Sequence, residues 1–289
     1  MAEPLPICYL NGDYLPLREA RVSPLDRSFL FGDGVYEVMP VFAGRPFRYL
    51  PHYQRLARSL RELRMHELPQ QIWHDVIREL ISRNGSGDLY IYLQVSRGME
   101  YGRNHAPFPD VPPTIFAYAT PLLPPTTDAV ENGLACITAQ DTRWARCDIK
   151  SVALLANVML RQQAVDAGAN ETILLRDGWL TDASASSVHV VRGGVIITPP
   201  HSNRLLPGTT RSAMEELAAA AQIPCESAPV SEAQLRSAEE IWLGAATRTI
   251  ASATKLDGKP VGNGRPGPLW RRMHDEFAQQ ISRLAHQPW

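Results

Sequence analysis

Four short polar reversals, each flanked by runs of alternating apolar residues, constrain this chain more than anything else in it. Asn11-Gly12 lies inside ICYLNGDYLP, Ala43-Gly44 inside GVYEVMPVFAGRPFRYL, Asp177-Gly178 inside ETILLRDGWLTDA and Gly193-Gly194 inside SSVHVVRGGVIITPP. Such dipeptides close hairpins between neighbouring strands. DLYIYLQVSRG and TIFAYATPL are aromatic and β-branched and read as further strands, as do LACITAQDTRW and the two ends of IWLGAATRTIASATKLDG. Helical spacing appears from Leu50 to Arg64, where Leu56, Leu60 and Leu63 recur, and is expected again from Gln70 to Ser82. TRSAMEELAAAAQ follows a Pro207-Gly208 turn, and PLWRRMHDEFAQQISRLA closes the chain as an amphipathic helix. The expected class is α+β, with strands dominating.

The stretch PLLPPTTDAVENG, with Pro121, Pro124 and Pro125 and with Pro113 shortly before it, is ill suited to regular structure. It suggests a linker at 120–127 between a small α/β N-terminal domain, 1–119, and a larger strand-rich domain, 128–289. The 289 residues suffice for two modest domains or one large one. A formal net charge of -1 gives no electrostatic reason to expect a nucleic acid or an anionic membrane as partner. No apolar run approaches the roughly 20 residues that cross a bilayer, and the opening MAEPLPICYLNGDYLP has no basic segment followed by an apolar one. A cytoplasmic protein is therefore expected. Cys8, Cys136, Cys147 and Cys225 have no paired spacing and are expected as reduced, packed thiols; the eight histidines include no HExxH pair, so no metal is expected.

Positive charge is carried almost wholly by arginine, with 26 Arg and three Lys. Lys255 and Lys259 lie in TKLDGKPVGNG, an exposed reversal, but Lys150 precedes Ser151, Val152, Ala153, Leu154 and Leu155. It is expected at the head of a helix that dips into the core and ends at Gly168. Burial lowers a lysine's pKa and frees the neutral amine, which arginine never offers, and a desolvated lysine condenses with carbonyls. A lysine that snorkels from the helix end or pairs with Asp148 fits the same stretch. In LPGTTRSAMEEL, Gly208, Thr209 and Thr210 precede a helix, where unpaired N–H groups attract an anion such as phosphate, or where threonine serves as a cap. Thr247 in GAATRT offers a second such loop, and Arg55 on the first helix either adds a charge-assisted contact or faces water. Asp182 in LTDASASS follows a strand and precedes small residues; it could hold a protonated ring nitrogen or shape a turn. An imine-forming lysine, a phosphate cradle and a carboxylate for a pyridinium nitrogen are together what pyridoxal 5'-phosphate requires.

RSFLFGDGVYE, the HYQRLARS helix, DTRWARCDIKSVALLANVM, ETILLRDGWLTDASASS and LLPGTTR together resemble the class IV, fold type IV, pyridoxal phosphate aminotransferases over almost the full length. The resemblance implies a two-domain fold whose larger domain binds the cofactor, with Lys150 as the Schiff-base lysine. It also places Asp182 where the family usually has the glutamate facing the pyridine nitrogen, and puts Arg55, Thr209, Thr210 and Thr247 around the phosphate. Asp182 is one methylene shorter than that glutamate, Ser187 replaces the usual asparagine, and Arg248 replaces a usual Ser or Thr. Arg103 and His105, two apart in QVSRGMEYGRNHAPFP, would point to one side of an extended loop. With Tyr36 they resemble the substrate-carboxylate trap of D-amino acid aminotransferases, where the arginine and histidine come from the partner subunit; Arg248 joins them as a substrate-binding candidate. The expectation is a homodimeric enzyme that transaminates D-amino acids with a 2-oxo acid acceptor in ping-pong fashion. Alternatives on the same fold are a branched-chain L-amino acid or R-selective amine transaminase, an aminodeoxychorismate lyase-like enzyme, or a silent cofactor carrier. Retention of Lys150 in a chain with so little lysine speaks against the last.

Overall fold

The computed structural model describes residues 2–85, 87–284 and 289. They form two compact units, one of Met1–Leu123, Ile149–Leu154 and Arg283–Trp289, the other of Pro124–Asp148 and Leu155–Ser282. The six residues around Lys150 thus belong with the first unit, although the flanking chain belongs to the second.

In the first unit β1 (Ile7–Leu10) and β2 (Asp13–Pro16) form a hairpin, and α1 (Arg27–Phe31) leads into β3 (Gly34–Phe42) and the short β4 (Arg45–Pro46). Then come α2 (Tyr49–Glu62), α3 (Gln70–Asn84), β5 (Leu89–Ser96) and β6 (Thr114–Pro121). The strands make one antiparallel sheet in the order β2-β1-β6-β5-β3-β4. Its two faces follow the period of two along each strand. Val35, Met39 and Val41 pair with Val95, Ile91 and Leu89 on the core face, which Leu56, Leu60, Trp73, Ile77 and Leu80 of α2 and α3 complete. Tyr36 and Val38 lie on the other, half-buried face with Tyr92, Gln94, Phe116 and Tyr118.

The second unit opens with α4 (Thr127–Glu131), β7 (Leu134–Gln140), α5 (Leu155–Asp166), β8 (Glu171–Arg176) and β9 (Trp179–Ala183). It continues through β10 (Ser187–Arg192), β11 (Val195–Thr198), α6 (Thr209–Ala220), β12 (Cys225–Ser227) and α7 (Glu232–Arg236). The remaining elements are β13 (Glu240–Ala245), β14 (Thr249–Leu256), β15 (Lys259–Pro260) and α8 (Pro268–Leu284). The sheet runs β12-β11-β10-β13-β14-β7-β8-β9, with β15 against β14. Its β14-β7, β7-β8 and β11-β12 pairs are parallel. A core of Ile173, Val188, Val190, Ile241, Leu243 and Ala253 packs on one side.

All four expected hairpin turns are present. Three expectations fail. Helix and strand contribute 31% and 30% of the chain, so strands do not dominate. The proline-rich stretch holds a helical turn, α4, because Thr126 caps it by accepting from the Ala129 N–H at 3.2 Å. The helix after Lys150 starts only at Leu155. Among the described residues no helix is long and apolar enough to cross a membrane. Cys8, Cys136 and Cys147 are buried free thiols, and Cys225 is half-buried and free.

The segment after β5 is tied down where it leaves the sheet. Gly98 has φ +107°, and a Cβ there would stand 1.9 Å from the Pro112 carbonyl oxygen; the Gly98 carbonyl accepts from the Arg27 N–H at 2.9 Å. Gly98→Ala is expected to destabilise the protein by about 2 kcal/mol, because backbone rather than a flexible side chain must yield. Urea unfolding monitored by circular dichroism measures it.

Candidate functional site

Lys150 is positioned by main-chain pairing. The Tyr36 N–H donates to the Lys150 carbonyl at 2.9 Å, the Val152 N–H to the Gly34 carbonyl at 3.0 Å, and Ser151 bridges Val35. Residues 150–152 therefore lie as a short extra strand along the start of β3. Gly34 allows this close approach within the sheet, since a Cβ on it would lie 2.8 Å from the Val95 carbonyl oxygen. An extended course satisfies backbone groups that an additional helical turn would leave to solvent, which is why α5 starts late. Lys150 is half-buried rather than sunk in a core. Its Nζ stands 4.2 Å from the centroid of the Tyr36 ring, within cation–π range. Asp148 is engaged by Arg146, at 3.0 and 3.1 Å.

The residue after Tyr36 faces the other way. Glu37 is buried, and its two oxygens accept from Arg55 Nε at 2.8 Å and Nη2 at 2.7 Å, with His52 Nδ1 also 2.7 Å away. Burial alone would push this carboxyl up; the Arg55 charge and the hydrogen bonds from Arg55 and His52 overcome it and hold the pKa down at about 2. Burial lowers the His52 pKa against the pull of Glu37, so the imidazole is neutral and donates through Nδ1. Arg55 is thereby set in a fixed orientation on α2, one of the family's expected phosphate ligands with two of its donors already committed.

Arg103 and His105 lie in an exposed, bent segment rather than an extended one. Both nevertheless stand against one ring: Arg103 Cζ is 5.2 Å from the Phe31 centroid, and the His105 ring is 5.5 Å from it. The buried Arg27 holds this loop, donating to the carbonyls of Asn104 at 2.7 Å and His105 at 3.0 Å and pairing with Glu100 and Asp33. Glu100 also accepts from the Phe108 N–H at 3.0 Å.

In the second unit Asp182 lies within β9, not after it, and is buried. Its Oδ2 accepts from Arg143 Nη1 at 3.2 Å and from the Leu206 N–H at 3.3 Å. Arg143 is gripped in turn by Asp141, which also takes Thr181 Oγ1 at 2.9 Å and Arg176 at 3.1 Å. Burial raises the Asp182 pKa, and the opposing pull of Arg143 does not cancel the rise. Thr209 and Thr210 are buried in the first turn of α6, whose N-cap Gly208 supplies no side-chain cap. Thr247 is exposed in the turn between β13 and β14, which the Arg248 N–H closes onto the Ala245 carbonyl at 3.1 Å and which ends at Thr249 with φ +51°. Arg248 Nη2 lies 3.8 Å from the fully buried Glu171, an ion-pair distance, while Ser184 and Ser186 donate hydrogen bonds to that carboxylate.

The first unit thus sets Lys150 over Tyr36, holds Arg55 on Glu37, and puts Arg103 and His105 each against Phe31. The second carries Asp182, Thr209, Thr210, Thr247 and Arg248. Glu37, His52, Asp141, Arg143 and Glu171 are additions that the sequence reading does not single out. Glu37 has a legible signal, a charge at an inward position of an alternating strand; Asp141 and Arg143 share one side of an extended segment close before Lys150.

The groups of the second unit fit pyridoxal phosphate. A buried helix start with no side-chain cap presents N–H groups and a positive dipole end to an anion. A buried carboxylate whose desolvation is only partly offset gains from a protonated ring nitrogen.

A family model described as Amino-transferase class IV matches residues 34–256. The D-alanine aminotransferase of Staphylococcus haemolyticus is 35% identical over 277 residues, covering 94% of this chain and 97% of that protein. That of Bacillus licheniformis is 36% identical over 277 residues, covering 94% and 95%. Among solved structures, a T.th. branched-chain amino acid aminotransferase with pyridoxamine 5'-phosphate superposes with a TM-score of 0.89 at 25% identity, covering 97% of this chain and 95% of that one.

Glu37→Gln leaves the Arg55 charge buried without its counter-ion, and an expected loss of about 3 to 5 kcal/mol in urea unfolding near neutral pH follows. The Glu37 pKa is lower folded than unfolded, so its contribution is complete above about pH 4.3 and disappears as pH falls toward about 2. The gap between wild type and variant should close across that window.

Proposed function

The chain belongs to the class IV aminotransferase family and is a pyridoxal phosphate-dependent aminotransferase, and on that premise we propose that it transaminates D-amino acids such as D-alanine with a 2-oxo acid acceptor by ping-pong turnover. The observation that carries the D-amino acid assignment is the placement of Arg103 and His105 on the single Phe31 ring by a buried arginine. A guanidinium and an imidazole held together suit an α-carboxylate, and Arg27 orders the loop before substrate arrives. The D-alanine aminotransferases of similar sequence support the same choice.

Bound pyridoxal phosphate supplies the carbonyl that takes up the amino group and the ring that draws electrons from the α-carbon. Lys150 Nζ is the covalent attachment point and then the base that carries the α-proton. The Tyr36 ring lies 4.2 Å from that nitrogen and helps to place it. Asp182 would pair with the ring nitrogen and help to keep it protonated, its carboxylate directed by the contact with Arg143. Thr209, Thr210 and Thr247 would hold the phosphate, and Arg55 would add its charge.

The active form is a homodimer. Helix α5 turns Leu155, Val158, Met159 and Val165 to solvent at 74%, 61%, 60% and 55% exposure. An apolar stripe at helical spacing is the kind of surface a second copy covers. The exposed loop of Arg103 and His105 then serves the site of that copy.

Half-reaction rates with D-alanine, L-leucine and an R-amine test the assignment. Arg103→Ala should lower kcat/KM for D-alanine by about ten- to a hundredfold, the loss of one charge-assisted contact, and spare the amine. Faster wild-type reaction with L-leucine than with D-alanine overturns the D-amino acid choice. Asp182→Asn should keep the cofactor yet slow single-turnover transamination of D-alanine by at least about a hundredfold; a near-native rate would reduce Asp182 to a structural residue.

A further inference from the structure

A buried imidazole lies near the start of α6. His189 on β10 is fully buried, and its Nδ1 has no hydrogen-bond partner among the described residues. Its Nε2 is 3.3 Å from Ser187 Oγ, two residues back on the same face of the strand, and that oxygen is 3.1 Å from the Gly244 carbonyl oxygen. One hydroxyl hydrogen cannot serve both neighbours, and a buried N–H without an acceptor costs more than a bare lone pair. The network therefore assigns the imidazole proton to Nε2, which donates to Ser187 Oγ, while the hydroxyl donates to Gly244. Burial, reinforced by the nearby Arg211 charge, lowers the His189 pKa to about 3, so this pattern does not change through the neutral range.

The Ser187 hydroxyl sits where two backbone elements meet. A Cβ on Gly244 would lie 2.9 Å from Ser187 Oγ, 3.3 Å from His189 Nε2 and 3.8 Å from Thr210 Cγ2, and a Cβ on Gly208 would lie 3.7 Å from the same Oγ. Gly208 caps α6; Gly244 leads into the turn that carries Thr247. Both glycines bring main chain up to this hydroxyl. We propose that the His189–Ser187 pair is a neutral strut that sets the spacing between the two halves of the phosphate cradle, which makes both residues positioning residues for the cofactor's phosphate. This rests on the assignment of Thr209, Thr210 and Thr247 to that phosphate. Without the imidazole, the Ser187 hydroxyl loses the donor that fixes it, and the end of β13 can shift relative to α6.

The test is equilibrium binding of pyridoxamine 5'-phosphate and of pyridoxamine to the full-length protein freed of cofactor, for wild type, His189→Phe, Ser187→Ala and the double variant. Each single variant is expected to bind pyridoxamine 5'-phosphate about tenfold more weakly, with no further loss in the double variant and no change for pyridoxamine. Unchanged affinity for the phosphorylated ligand, equal losses for both ligands, or additive losses would each overturn the strut. Should His189→Phe fail to fold, Ser187→Ala with the same pair of ligands decides alone. If wild type binds the two ligands equally well, the phosphate assignment itself has failed, a result distinct from failure of the strut.

Discussion

Glu37 is a carboxylate almost cut off from water, and the chemistry of the first unit depends on how it is compensated. Placed on the core face of β3, it would be too costly to bury alone; the bidentate guanidinium of Arg55 and the neutral His52 make it tolerable. That compensation locks α2 to β3 and fixes Arg55. The alternation of the strand sends the preceding residue, Tyr36, to the opposite face, where its ring lies under the Lys150 ammonium and its N–H holds the Lys150 carbonyl. Two adjacent residues of one strand therefore orient two candidate cofactor groups through opposite faces of one sheet. A register slip of a single residue would exchange them and bury the tyrosine side where the carboxylate belongs.

The second unit meets a similar electrostatic problem in a different way. Asp182 is buried, and its partner Arg143 is shared with Asp141, which also pairs with Arg176. Burial raises the Asp182 pKa in spite of Arg143. Glu37 and Asp182 thus mark two uses of a buried carboxylate. One is satisfied within the protein and anchors structure; the other is incompletely satisfied and suits a ligand that brings its own proton.

Hairpins and helices were legible because their causes are local. Asn11-Gly12 and Gly193-Gly194 supply positive φ at small cost, and Leu56 and Leu60 mark the buried stripe of α2 whatever lies opposite. Lys150 stood out by scarcity, and the glycine and threonines before α6 by their place at a helix start. The late beginning of α5 was not legible, because the apolar run after Lys150 suits a helix and only the free edge of β3, remote in sequence, offers the competing hydrogen bonds. Arg143 and Glu37 escaped notice as partners for the same reason: each appears as an ordinary charge until the residue that neutralises it is known.

What the sequence determined by itself was the α+β class, the hairpins, the family and the kinds of side chain available for chemistry, since these follow from short-range pattern and residue type. Tertiary structure decided which charges are compensated, which donors are committed and in which direction each group points. Those properties arise from contacts between residues far apart in the chain, as between Glu37 and Arg55, Arg27 and His105, or Ser187 and Gly244. Desolvation and hydrogen-bond geometry act on positions in space, and no window of the chain contains both partners.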